Sequence, residues 1–155
     1  MKTRRSKRRM RKQMGGQIEA LTVQFGNKII TGGFIQKSAT QIQPTVVWAA
    51  PPKDSYYTLL CFDPNATTKP SWLHWMVVNC VGTGPMSGEA RSEWTPPAPP
   101  RGTGVHLYIF TLFSHVHPIP DDITPIERGY FDPTKYAAKY VLKPVATTSM
   151  KVRAE

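Results

Sequence analysis

Asp63, His74 and His106 stand out because each lies where an apolar run meets polar sequence. The run from Tyr57 to Phe62 ends in Asp63-Pro64-Asn65. The run from His74 to Val81 opens on an imidazole flanked by Trp72 and Trp75, so a cavity there would have aromatic walls. A third run, Val105 to Phe113, carries His106 and Tyr108 two residues apart, which puts both on one face of a strand. A carboxylate hydrogen-bonded to an imidazole orients the ring and favours its charged form. A histidine pair with a carboxylate and backbone N–H groups suits a small anion such as phosphate, and a carboxylate beside an indole suits an ammonium group. Two histidines and a carboxylate also match a metal triad. The Trp and Tyr neighbours offer no fourth ligand, so no metal is expected.

These positions need strands to carry them. The runs on either side of Asp63 and His74 are nearly continuous in apolar residues, as in strands buried on both faces. Asp63-Pro64-Asn65 is a turn signal, since Pro fixes φ and Asp or Asn can bond its own backbone. Upstream, Leu21, Val23 and Phe25 alternate with Thr22 and Gln24, the period of a half-exposed strand. Gly26-Asn27 then turns the chain so that residues 28–30 pair back. Residues 45–49 are β-branched and apolar, a further strand. Residues 82–101, rich in Gly and Pro, read as one long loop, a length that is uncommon unless it serves function. Asp132-Pro133 marks a helix start, with residues 134–142 at helical spacing. Pro144 ends the helix, and residues 145–152 read as a last strand. His115 and His117 read as an exposed pair with no ligand. No serine lies in a nucleophile-elbow setting and neither cysteine in an electropositive one, so the chain reads as non-catalytic, with no cofactor.

Asp63-Pro64-Asn65-Ala66, Trp72-x-His74 and Val77-Val78-Asn79, followed by Pro99-Pro100-Arg101-Gly102-Thr103-Gly104-Val105-His106-Leu107-Tyr108, resemble the two motifs of the phosphatidylethanolamine-binding protein family, DPDAP…WxH…VVN and PPxGTGxHRY. The looser resemblance covers residues 17–155. With the strand pattern it implies a mainly β fold, a two-sheet antiparallel β-sandwich with one short helix. It implies that Asp63, His74 and His106 converge, that Trp72 and Tyr108 line the same hollow, and that the backbone from Gly102 to Gly104 faces a bound anion. The implied ligand is a phosphate-bearing small molecule or phospholipid head group. The implied role is binding, through which family members modulate a kinase or protease partner. The sequence departs from the family at Asn65, Thr67 and Leu107, where Asp, Pro and Arg are usual. Residue 107 points away from His106, so the expected loss there is a structural salt bridge. The family's C-terminal helix, which helps cover the pocket, is missing from this sequence.

The chain of 155 residues is long enough for one core. Its formal charge is +10, but Lys2, Arg4, Arg5, Lys7, Arg8, Arg9, Arg11 and Lys12 supply eight of those charges, which leaves +2 for the remainder. Residues 1–16 therefore read as a disordered basic tail closed by Gly15-Gly16, and residues 17–155 as the folded domain. The tail is either a solvated extension or a non-specific, salt-sensitive contact for nucleic acid through Arg4, Arg5, Lys7, Arg8, Arg9, Arg11 and Lys12. In composition it is similar to tails on proteins of large DNA viruses, which implies a virion-associated structural role as the alternative. No apolar run is long enough for a membrane span, and the basic N-terminus lacks the apolar core of a secretory signal. The expected location is intracellular and cytoplasmic, or a virion. Cys61 and Cys80 read as free buried thiols, with a disulfide left open by their neighbouring strands.

Overall fold

A computed structural model describes residues 21–122 and 124–155. The basic stretch, the Gly15-Gly16 hinge and the expected domain start lie outside the described residues.

The two apolar runs form the antiparallel centre of the molecule, β4 (Tyr56–Asp63) and β5 (Trp72–Cys80). With β6 (Glu89–Ser92), β7 (Val105–His115) and β8 (Lys143–Arg153) they make a five-stranded sheet in the order β6-β5-β4-β7-β8. A second, three-stranded sheet, β2-β1-β3, comprises β1 (Thr22–Phe25), β2 (Lys28–Ile29) and β3 (Thr45–Val47). All strand pairings in both sheets are antiparallel.

Alternate residues of the central strands feed two cores. Leu59, Cys61, Trp75, Val77, Phe110 and Leu112 pack toward Val23, Phe25, Val46 and Trp48 of the small sheet. Leu60, Leu73, Met76, Val78 and Phe113 face the other way, toward Ile119, Phe131 and Leu142. Burial on both faces is why these runs carry no polar alternation.

The single α-helix among the described residues, α1 (Pro133–Tyr140), covers this second face with Tyr136, Ala137 and Tyr140. Asp132 caps it by accepting from the Lys135 N–H at 3.1 Å, and Pro133 occupies the first helical position. The helix stops two residues before the expected end. Val141 turns left-handed (φ +56°), and Leu142 N–H bonds back to the Ala137 carbonyl at 2.8 Å while its side chain enters the core.

The expected loop over residues 82–101 contains a short 3₁₀ turn (Pro85–Ser87) and β6. A four-residue edge strand of sequence EARS has no apolar alternation to announce it. It is able to pair because Gly88 lets the backbones meet: a Cβ there would lie 2.5 Å from both Cys80 Sγ and the Val78 carbonyl oxygen. Pro144 lies inside β8, beside the register shift at Leu112/Phe113, which an edge strand tolerates. Cys61 pairs across from Trp75 and Cys80 from Tyr57. Five residues of β5 separate these rungs, about 16 Å at strand rise and far beyond disulfide reach. Both thiols are free and buried.

Candidate functional site

Strand ends build the site. β4 delivers Asp63 at its last residue, and β7 delivers His106 and Tyr108 near its start, on the same face. The delivery of His74 depends on an irregularity that the sequence does not announce. The β4–β5 register shifts between Cys61 and Phe62, so that Trp72 pairs with Asp63 and Trp75 with Cys61, leaving His74 as the extra residue of a bulge. The bulge leaves the carbonyls of Leu73 and His74 turned from the β4 ladder. Arg128 donates to both, with Nη1 giving hydrogen bonds at 3.1 and 3.3 Å and Nη2 reaching the Glu93 carbonyl at 2.8 Å. Its guanidinium also stacks 5.5 Å from the Trp72 ring.

Asp63, Trp72, His74, His106 and Tyr108 all line one cavity of about 430 Å³. Its remaining walls come from Ala66 to Thr68 after β4 and from the segment Thr95 to Pro100. The Thr95 segment is tied to the bulge twice: Thr95 N–H donates to the His74 carbonyl at 2.9 Å, and His74 Nδ1 donates to the Thr95 carbonyl at 2.6 Å. Asp63 is nearly sealed from solvent. Its Oδ2 accepts from His106 Nδ1 at 2.7 Å, and its Oδ1 accepts from the Asn65 N–H at 2.7 Å. His106 Nε2 lies 2.8 Å from Thr103 Oγ1, whose own proton goes to the Pro100 carbonyl at 2.6 Å. The His74 ring packs 4.7 Å from the ring of Trp72 and 5.0 Å, edge to face, from that of Tyr108.

Burial pushes the His74 imidazole below its ordinary range, against the opposing pull of the Thr95 carbonyl and the Asp63 charge. Burial also raises the Tyr108 hydroxyl well above the ordinary phenol range, with the Asp63 charge adding to the effect. The same two causes raise the Cys61 thiol, and burial pushes Cys80 up to about 12, so neither is poised as a nucleophile.

Some sequence expectations fall elsewhere. Gly104 does not line the cavity. It is exposed at the entry to β7 with φ +81°, and its carbonyl accepts from the Ala154 N–H at 2.8 Å. Trp75 is no cavity wall. It lies in the core, edge to face with Trp94. His115 is not exposed. Its Nδ1 donates to the His117 carbonyl and its Nε2 meets Thr58 Oγ1, both at 2.8 Å, while only His117 faces solvent. Among the described residues there is no group of three metal-ligating side chains. Two of the residues that depart from the motif, Asn65 and Leu107, touch: Asn65 Oδ1 accepts from the Leu107 N–H at 2.8 Å, outside the cavity. Asn79 of the VVN motif is structural, exchanging two hydrogen bonds with the Ile119 backbone at 2.8 and 2.9 Å. Sequence reasoning missed Thr95, Thr103 and Arg128. The long Pro-rich loop was a signal for the Thr95 wall, whereas no local feature marks a lone Arg128 as the partner of a bulge 55 residues away.

Comparison with known proteins bears on the whole arrangement. Residues 12–151 match the family model described as phosphatidylethanolamine-binding protein. A Drosophila melanogaster protein provisionally named odorant-binding protein A5 is 31% identical over 142 residues, covering 83% of this chain and 67% of that protein. A 26 kDa secreted antigen of Toxocara canis is 29% identical over 135 residues, covering 79% of this chain and 51% of the antigen. The chain thus spans only half to two-thirds of these relatives. Among solved structures, a phosphatidylethanolamine-binding protein from Plasmodium vivax superposes with a TM-score of 0.72 at 20% identity, over 87% of this chain and 85% of that one. A carboxypeptidase Y inhibitor, in complex with its cognate proteinase, gives 0.72 at 16% identity, over 95% and 94%. At these identities the structures speak for the fold. No helix among the described residues is long and apolar enough to cross a membrane.

Proposed function

The chain belongs to the phosphatidylethanolamine-binding protein family, and from that premise we propose that it is a non-catalytic binding protein whose aromatic cavity takes a small ligand bearing a phosphoryl group, either a free phosphate compound or a phospholipid head group. The observation that carries this reading is the convergence of Asp63, His74 and His106 on one cavity walled by Trp72 and Tyr108. The His74 imidazole, a phenol hydroxyl and an indole give hydrogen-bonding groups for phosphoryl oxygens, set among apolar walls. Asp63 and His106 are spent on each other and on the backbone turn, which suits holding a shape better than turning over a substrate. The solved carboxypeptidase Y inhibitor bound to its proteinase supports extending the proposal to a protease partner, met at the surface around the cavity.

The test is calorimetric titration of phosphoethanolamine into the chain and into its Trp72→Ala and His74→Phe variants. The reading expects saturable one-site binding that each variant weakens at least about tenfold, a loss of about 1.4 kcal/mol. Equal affinity in all three proteins would sink it.

A second reading rests on a separate observation, the eight basic residues between Lys2 and Lys12. Here the domain is a scaffold, and the tail anchors it to nucleic acid, as in a virion-associated protein.

A further inference from the structure

The two histidines of the cavity differ in what they have left to offer, and the difference narrows the ligand. The Thr95 carbonyl beside His74 Nδ1 can only accept, so Nδ1 carries a proton. A neutral His74 therefore presents a bare lone pair at Nε2, which has no hydrogen-bond partner among the described residues. His106 has no nitrogen to spare, with one on Asp63 and the other on Thr103. The ionisable groups facing His74 are Asp63 at the end of β4, His106 and Tyr108 on β7, and Arg128 from the loop before α1. Asp63 is held by His106 and Asn65, and both Arg128 Nη atoms are held by carbonyls. Burial keeps the His74 ring neutral near pH 7. A fully deprotonated oxygen placed against Nε2 would set one lone pair against another.

Building on the phosphoryl-binding reading above, we infer that an oxyanion held against His74 shares one proton with Nε2, so the site selects phosphomonoesters, which bring that proton as monoanions, over phosphodiesters or sulfate, which must draw it from solvent. In the first case the ligand O–H donates to the neutral ring. In the second a proton from water moves onto Nε2, and the imidazolium donates to the anion. Either complex holds one proton on the shared axis, and only its source differs.

The test uses the full chain and three small probes: methyl phosphate, dimethyl phosphate and sulfate. Each is titrated between pH 5.5 and 8.5, with binding read by NMR at the His74 ring in the wild type and at the His106 and Tyr108 rings, which line the same cavity, in wild type and variant alike. Above about pH 6.5, the ordinary imidazole value, the dissociation constants of dimethyl phosphate and sulfate should rise about tenfold per pH unit. That of methyl phosphate, expressed per monoanion (its second pKa being about 6), should stay flat. In His74→Gln, whose amide offers a proton at every pH, the dimethyl phosphate and sulfate curves should flatten. Should that variant fail to fold, the wild-type slopes decide alone. Binding of sulfate or dimethyl phosphate that is independent of pH overturns the proton account but leaves the pocket standing. No saturating shift for any probe, even at pH 5.5, overturns the pocket itself.

Discussion

Asp63 does more for the site than any other single residue, and it does so without being free to meet a ligand. Its two oxygens fix the His106 ring and the turn after β4. Asp63→Ala leaves the His106 Nδ1–H and the Asn65 N–H without their acceptor in a buried setting. The expected cost is about 1–3 kcal/mol of folding stability, read from urea unfolding. An unchanged midpoint would deny Asp63 this anchoring role. The two buried rings His74 and His115 make a second residue-scale prediction. Burial lowers both below their unfolded value of about 6.5, so the unfolded chain takes up protons first. Their contribution is complete above that pH and declines as the pH falls beneath it, until the buried rings charge as well. The melting temperature should therefore drop from pH 7 toward pH 5, and the slope should shrink in His115→Asn. A flat profile in the wild type would contradict their burial as neutral rings.

At the scale of elements, the bulge at His74 places the site, and the Gly88 crossing lets β6 join the sheet. Arg128→Lys keeps the charge but gives up the planar fork that serves three carbonyls at once. It should cost about 1–3 kcal/mol and disturb the amide signals of Leu73, His74 and Thr95 together. Gly88→Ala forces a Cβ onto the β5 backbone, and β6 should detach at a cost of about 1–3 kcal/mol or more, seen as faster hydrogen exchange along β6. The same scale shows what was legible in the sequence. Asp63, His74 and His106 could be singled out because each lies where an apolar run meets polar sequence, and the order of their motifs follows the order of the strands that bring them to one cavity. The helix start was legible because Asp132-Pro133 is a local signal. The bulge, Arg128 and β6 were not, because each depends on a partner far along the chain: Arg128 serves Leu73, and EARS becomes a strand only against Val78 and Met76. The place of Gly104 outside the cavity was not legible, because a left-handed glycine in a turn and a backbone anion contact look alike in sequence.

The whole molecule is a sheet covered on both faces, with its candidate cavity at one end of the central strands and a strongly basic segment at its N-terminus. These two parts make separable predictions. Deleting residues 2–12 should abolish non-specific DNA retention and its steep salt dependence while leaving ligand affinity at the cavity unchanged. DNA retention that survives the deletion would remove the tail from the account. The central claim, that the cavity binds a phosphoryl group against His74, is tested most directly by titrating phosphoethanolamine into the chain and following the His74 and His106 ring signals by NMR. The account predicts shifts at both rings that saturate together, with the larger change at His74, whose Nε2 is the one without a partner among the described residues. No shift at either ring at saturating ligand would contradict it.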